Sequence, residues 1–231
     1  MKFGIVGGIG PASTIDYYNG IIGLYTAKTN KYPELVIESV DMNAMLDFFT
    51  HSDYDGICRL IVSALQNLKN AKASYAAIAS NTPHIIFDKI KKISPLPLVS
   101  IIDETCKFTF SAGYKKVLVL GTSFTMKSGM YETALQKYQI DAVIPSLEDI
   151  KILHNIIFPN LENGIIIPEE KQKMISISET YISKYKINAV ILGCTEIPLM
   201  IKENNLSVPV INTTQIHINA ISDLMINDIA V

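Results

Sequence analysis

Short apolar runs, mostly β-branched, recur along this chain: KFGIV, LVIESV, YAAIA and PLVSII, then KKVLVL, DAVI, NAVIL and VPVI. They are too short for helices and are flanked by Gly, Pro or Ser. Between them lie longer segments with helical period, such as YDGICRLIVSALQNLKNAK and PEEKQKMISISETYISKYK. Strands that alternate with helices in this way build parallel sheets covered by helices on both faces. The expected class is therefore α/β, doubly wound.

Landmarks in the first half return in the second. Gly7 and Gly121, Tyr17 and Tyr131, and Ser80 and Cys194 are each 114 residues apart, and Pro97 and Pro209, which open PLVS and PVIN, are 112 apart. Any doubly wound protein repeats strand–glycine–helix corners, but four landmarks near one offset favour a duplication. The expectation is two pseudosymmetric parallel-sheet units: residues 1–97 with 210–231, and 98–209, a C-terminal helix returning to the first. Functional residues of open parallel sheets sit at the carboxyl ends of strands. A pseudo-twofold axis would bring the corners ASNTPH (79–84) and GCTEIP (193–198) to face each other across an active-site cleft between the units.

The 231 residues supply ample apolar material for such cores. A formal net charge of −2 and the lack of any Lys/Arg cluster argue against nucleic acid as a partner. No apolar run approaches the roughly 18 residues of a membrane span. The start MKFGIVGGIGP breaks into glycine too early for a signal peptide, so the expected location is cytoplasmic. Three cysteines do not make a disulfide framework, and Cys58 and Cys106 fall in helical patterns as small buried hydrophobes. His51, His84, His154 and His217 lack ligand spacing, which argues against a metal site.

Cys194 stands at a corner. A thiol beside a helix N-terminus is expected to have its pKa lowered, and the amides of such a helix start bind carboxylates. Asn81, Thr82 and Thr195 add polar groups. The loop GGIGP, with Gly8 and Ile9, permits close backbone approach, and its counterpart GTSFT offers Thr122, Ser123 and Thr125. Together they suggest a small polar pocket for an anion, although helix capping is the better account of any single hydroxyl. A dinucleotide site is disfavoured, because GGIGPAS lacks the full Gly-x-Gly-x-x-Gly pattern.

The motifs GIVGGIGPASTIDYYNGI, ASNTPH and ILGCTEIP, in this order and spacing, resemble the aspartate/glutamate racemase superfamily over essentially the whole chain. The resemblance implies two pseudosymmetric α/β units, a homodimer, and α-proton transfer between two cysteines without pyridoxal phosphate or any other cofactor. By that correspondence Cys194 is the second catalytic cysteine, and Ser80 stands where the family has the first. A serine hydroxyl is a far weaker acid than a thiol and a poor general base near neutrality. The implied racemisation of aspartate or glutamate is thus expected to be one-sided. The alternatives are a single-thiol decarboxylase or isomerase of a small dicarboxylate, and a non-catalytic binder of acidic amino acids.

The second carboxylate of such a substrate calls for a cation, yet the one arginine, Arg59, lies mid-helix in a pattern that suggests a solvated face. Asn43 and Asp41, after LVIESV, and Glu162, in FPNLENG, are further candidates. Glu196 either orients a proton or favours a helix N-terminus. His84 fits a capping or surface role, with tuning of Ser80 as the alternative.

Overall fold

In the computed structural model, residues 1–228 are described. The chain divides into two compact units, Ile102–Thr213 and the remainder on either side of it. The first unit runs β1 (Lys2–Gly7), α1 (Pro11–Thr29), β2 (Glu34–Ser39), α2 (Met42–Thr50), α3 (Tyr54–Asn70) and β3 (Tyr75–Ile78). A 3₁₀ turn (Thr82–Ile86) then leads through α4 (Phe87–Ile93) to β4 (Leu98–Val99). The second unit contains α5 (Ile101–Ser111), β5 (Lys116–Leu120), α6 (Ser123–Lys127), α7 (Met130–Gln136), β6 (Asp141–Val143) and α8 (Leu147–Ile157). A second 3₁₀ turn (Leu161–Asn163), α9 (Pro168–Tyr185), β7 (Ala189–Leu192), α10 (Ile197–Met200) and β8 (Val210–Asn212) follow, and α11 (Thr213–Asn227) rejoins the first unit.

The two sheets share one plan. Their strand orders are β2-β1-β3-β4 and β6-β5-β7-β8, all pairings parallel. In each sheet the two central strands are buried almost end to end, whereas β2 at an edge alternates between exposed and half-buried residues. A parallel strand covered on both faces must be apolar throughout, which is why FGIV, KVLVL and AVIL are unbroken runs. The landmark tyrosines, Tyr17 in α1 and Tyr131 in α7, are both fully buried.

Each sheet closes over its own core. Phe3, Ile5, Tyr17, Ile21 and Ala77 pack with Ile218, Ile221 and Met225 of α11. In the second unit Leu118, Leu120, Val190 and Leu192 pack with Ile150, Leu153, Ile157 and Met174, and Cys194 belongs to this cluster. Each such side chain removed from water contributes about 1.5–3 kcal/mol before conformational entropy is subtracted.

The first core also buries two imidazoles. The Nε2–H of His217 donates to the Val99 carbonyl at 3.1 Å, so its Nδ1 accepts the Tyr17 hydroxyl at 2.7 Å. His84, expected at a cap or the surface, is instead buried, stacked on Phe87 with ring centroids 4.7 Å apart. Its Nδ1–H donates to the Ser80 carbonyl at 3.0 Å. Burial lowers His84 to about 3, helped by nearby His217, and lowers His217 to about 4. Both are therefore neutral when folded.

An unfolded histidine titrates near 6.5, so below that value the unfolded chain binds protons that the folded first unit refuses. The first unit should lose stability as pH falls from 6.5 toward 4, at up to about 1.4 kcal/mol per pH unit for each histidine. Amide exchange of β1 and β3, corrected for intrinsic rates, measures this. Protection that is flat from pH 7 to 5 would contradict it.

Candidate active site

Within each unit the chain leaves its two central strands toward opposite sides, opening a crevice at their carboxyl ends. In the first unit this point lies between the loops after β1 and β3. Gly8 there has φ 82°, and a Cβ on it would lie 2.5 Å from the Val40 carbonyl oxygen, so glycine is required. Its N–H donates to Thr14 Oγ1 at 2.9 Å. Ile9 is buried and Pro11 opens α1. Across the crevice lie Ser80 and Asn81, both buried, and half-buried Thr82, where the chain turns into a 3₁₀ helix rather than the α-helix that Pro83 suggests. Asn43 is exposed in the first turn of α2, where Asp41 caps the helix by accepting from the Asn43 and Ala44 amides.

Arg59 lies elsewhere on this unit. Its side chain is 71% exposed and sits 3.5 Å from Asp53. It borders a surface groove of about 340 Å³ with Asp55, Cys58, Val62, Lys89 and Ile93.

The corresponding crevice of the second unit lies between the ends of β5 and β7. A Cβ on Gly121 would come within 2.9 Å of the Gly193 carbonyl, and the Gly193 amide donates to the Leu120 carbonyl at 2.6 Å. Paired glycines thus let the two strand ends touch. Thr122 caps α6 by accepting from the Thr125 amide at 3.2 Å, and Thr122 and Thr125 are both buried. Half-buried Ser123 donates its amide to Nδ1 of His154, which lies between Phe124 and Phe158. Burial, and then Lys127, lower the pKa of His154.

Cys194 follows β7 by two residues, as Ser80 follows β3 by two. Cys194 is 6% exposed, and its thiol donates to Glu196 Oε2 at 3.0 Å. The Thr195 hydroxyl donates to the same oxygen at 2.8 Å. Glu162, brought in by the turn after α8, completes a cluster in which one donor atom from each of Glu162, Cys194 and Glu196 lies within 4.8 Å of the others. A metal ion could bridge such a spacing, but the S–H···O hydrogen bond already accounts for the closest contact.

The electrostatics reverse one expectation. The thiol pKa is raised well above its ordinary value, first by burial and then by Glu196 and Glu162. A helix start cannot compensate, because α10 is only four residues long and Glu196 occupies its N-cap. Glu162 is itself raised to about 8, first by burial and then by Glu196. The thiol and Glu162 are thus both protonated at neutral pH. The other free cysteines are buried, and burial pushes Cys106 up to about 12.

Residues 6–221 match the family model described as Asp/Glu/hydantoin racemase. The chain is 23% identical over 222 residues to the broad specificity amino-acid racemase RacX of Bacillus subtilis, covering 91% of this chain and 92% of that protein. Among solved structures, an aspartate racemase homologue from Pyrococcus horikoshii aligns with a TM-score of 0.82 at 35% identity, over 97% of this chain and 98% of the other. The aspartate racemase of Picrophilus torridus shares the fold, with a TM-score of 0.75 at 24% identity over 98% of this chain and 93% of that one.

The raised Glu162 carries a stability signature opposite to that of the buried histidines. An ordinary carboxyl titrates near 4.5, so between that value and about 8 the folded state keeps a proton that the unfolded chain releases. The second unit should lose stability as pH rises through this window, with a slope on the order of 1 kcal/mol per pH unit. Glu162→Gln should flatten the slope, read from amide exchange of β5 and β7. An unchanged slope would mean that Glu162 ionises normally.

Proposed function

This chain belongs to the Asp/Glu/hydantoin racemase family, and from that premise we propose that it is a cofactor-independent racemase of an acidic amino acid, aspartate or glutamate. The observation that carries the reading is the Cys194 thiol, hydrogen-bonded to a carboxylate at a strand end. Racemisation needs a proton to leave one face of the α-carbon and another to arrive on the opposite face. Cys194 serves one face, and Ser80, at the equivalent strand end of the other sheet, serves the other.

A buried thiol with a raised pKa is a ready proton donor to the carbanion. To act as base, Cys194 first passes its proton to Glu196 Oε2; the α-proton then takes its place on sulfur, and its bonding electrons stay on carbon. Ser80 lacks such help. The nearby imidazole of His84 spends its Nδ1–H on the Ser80 carbonyl, not on the hydroxyl. Abstraction from the Cys194 face is therefore the easier direction, and the enzyme is one-sided. The carboxylates of the substrate are held by amides and hydroxyls at the strand ends: Gly8, Ile9, Asn81 and Thr82 from one unit, and Thr122, Ser123, Thr125 and Thr195 from the other. Asn43, exposed at the start of α2, joins the residues assigned to the substrate.

The choice of an acidic amino acid is supported by the family and by the aspartate racemase homologue at 35% identity. Solvent-deuterium exchange at the α-carbon, run on each enantiomer of aspartate and glutamate, tests it. Exchange should be faster for the enantiomer whose hydrogen faces Cys194. No exchange with either amino acid, or loss of carbon dioxide from a malonate instead, would overturn the reading.

Two substitutions separate the partners. Cys194→Ala should lower turnover by about 10²–10⁴-fold, the usual worth of a positioned acid/base, while leaving the fold intact. Ser80→Cys should raise exchange chiefly for the slower enantiomer. A folded Ser80→Cys variant with both exchange rates unchanged would remove residue 80 from the mechanism.

A further inference from the structure

The racemase reading gives Cys194 its work, but leaves open why two glutamate carboxyls should crowd the same sulfur. Burial and mutual repulsion disfavour such a pair unless a proton or a cation stands between them. Geometry indicates what the cation would be. A thiol poised to exchange an α-proton sits about 3–3.5 Å from its target, and the other bonds of the α-carbon are only about 1.5 Å long. Every substituent of that carbon therefore comes within roughly 4 Å of Sγ. Glu196 Oε2 is already 3.0 Å from the same sulfur, and Glu162 is within 4.8 Å. Of the substituents of an acidic amino acid, the carboxylate-bearing ones are repelled here. Only the ammonium is attracted.

We propose that Glu162 and Glu196 form the ammonium site of the substrate: the pair holds one proton in the free protein, and the α-ammonium of an amino acid takes that proton's place beside Cys194. The inference rests on the racemase reading and deepens it, because it makes the site selective for amino acids over dicarboxylates that lack the amine.

The groups that govern the pair can be named. The 161–163 turn packs against α8 and α10. Helix α8 carries Glu148, Asp149, Lys151 and His154, and the residues of α10 itself do not titrate. Glu162 answers to burial and to Glu196 rather than to those of α8. With Glu162 raised to about 8, roughly nine in ten molecules carry the shared proton at pH 7. Binding of an ammonium must then expel it.

Isothermal titration in buffers of different ionisation enthalpy counts the protons released. The intact protein is titrated with aspartate and glutamate, and with succinate and glutarate, which keep both carboxylates but lack the amine. Amino-acid binding at pH 7 should release close to one proton per site, fading above about pH 9 where the free pair is already ionised. The diacids should release none and bind at least tenfold more weakly. Glu162→Gln should abolish the release. Amino-acid binding without proton release, or equal release by the diacids, overturns the ammonium site while leaving the racemase reading standing. If neither amino acid binds, both readings fall. The comparison of ligands on the unmodified protein decides the question even if the variant does not fold.

Discussion

Everything in this molecule follows from covering both faces of a parallel sheet. Once helices bury the two sides of β1, β3, β5 and β7, these strands carry polar side chains toward their ends. The order β2-β1-β3-β4, repeated as β6-β5-β7-β8, sends the chain in opposite directions from the two central strands. Loops part there, and backbone amides become available. Glycine then sets how near the parted loops can come: a side chain at Gly8, Gly121 or Gly193 would collide with a neighbouring carbonyl.

The two corners share a backbone plan but differ in electrostatics. The corner of the first unit is neutral: a serine, an amide side chain, and an imidazole whose charge burial suppresses. The corner of the second is acidic, with donor atoms of a thiol and two carboxyls within 4.8 Å of one another. Sheets built on one plan can differ in this way at their strand ends. Tyr17 and Tyr131, deep in the two cores, are kept identical, whereas Ser80 and Cys194 are not.

Much of this was legible in the residues. The short apolar runs mark the strands, because both faces of the central ones are buried. The family resemblance, the parallel sheets and the strand-end placement of Ser80 and Cys194 needed no coordinates. What could not be read depends on distant partners. The thiol pKa runs opposite to the helix-start expectation because the thiol is buried, with Glu196 beside it and Glu162, 32 residues earlier, folded back near it. The burial of His84 escaped notice because a polar residue one turn past a corner looks like a cap, and only its stacking on Phe87 and its bond to the Ser80 carbonyl say otherwise. The four-residue length of α10 was equally invisible, though it is what denies Cys194 a useful helix dipole.

The return of α11 has a consequence for how the chain is made. Ile218, Ile221 and Met225 close the first core, and His217 supplies the partner of the Tyr17 hydroxyl. On a ribosome these residues emerge after the whole of Ile102–Thr213. The unit that begins first is thus finished last, holding its apolar sheet open while the inserted unit folds to completion. During synthesis the exposed face of β1 and β3 is the surface a chaperone would meet, and α11 is the segment that ends that exposure.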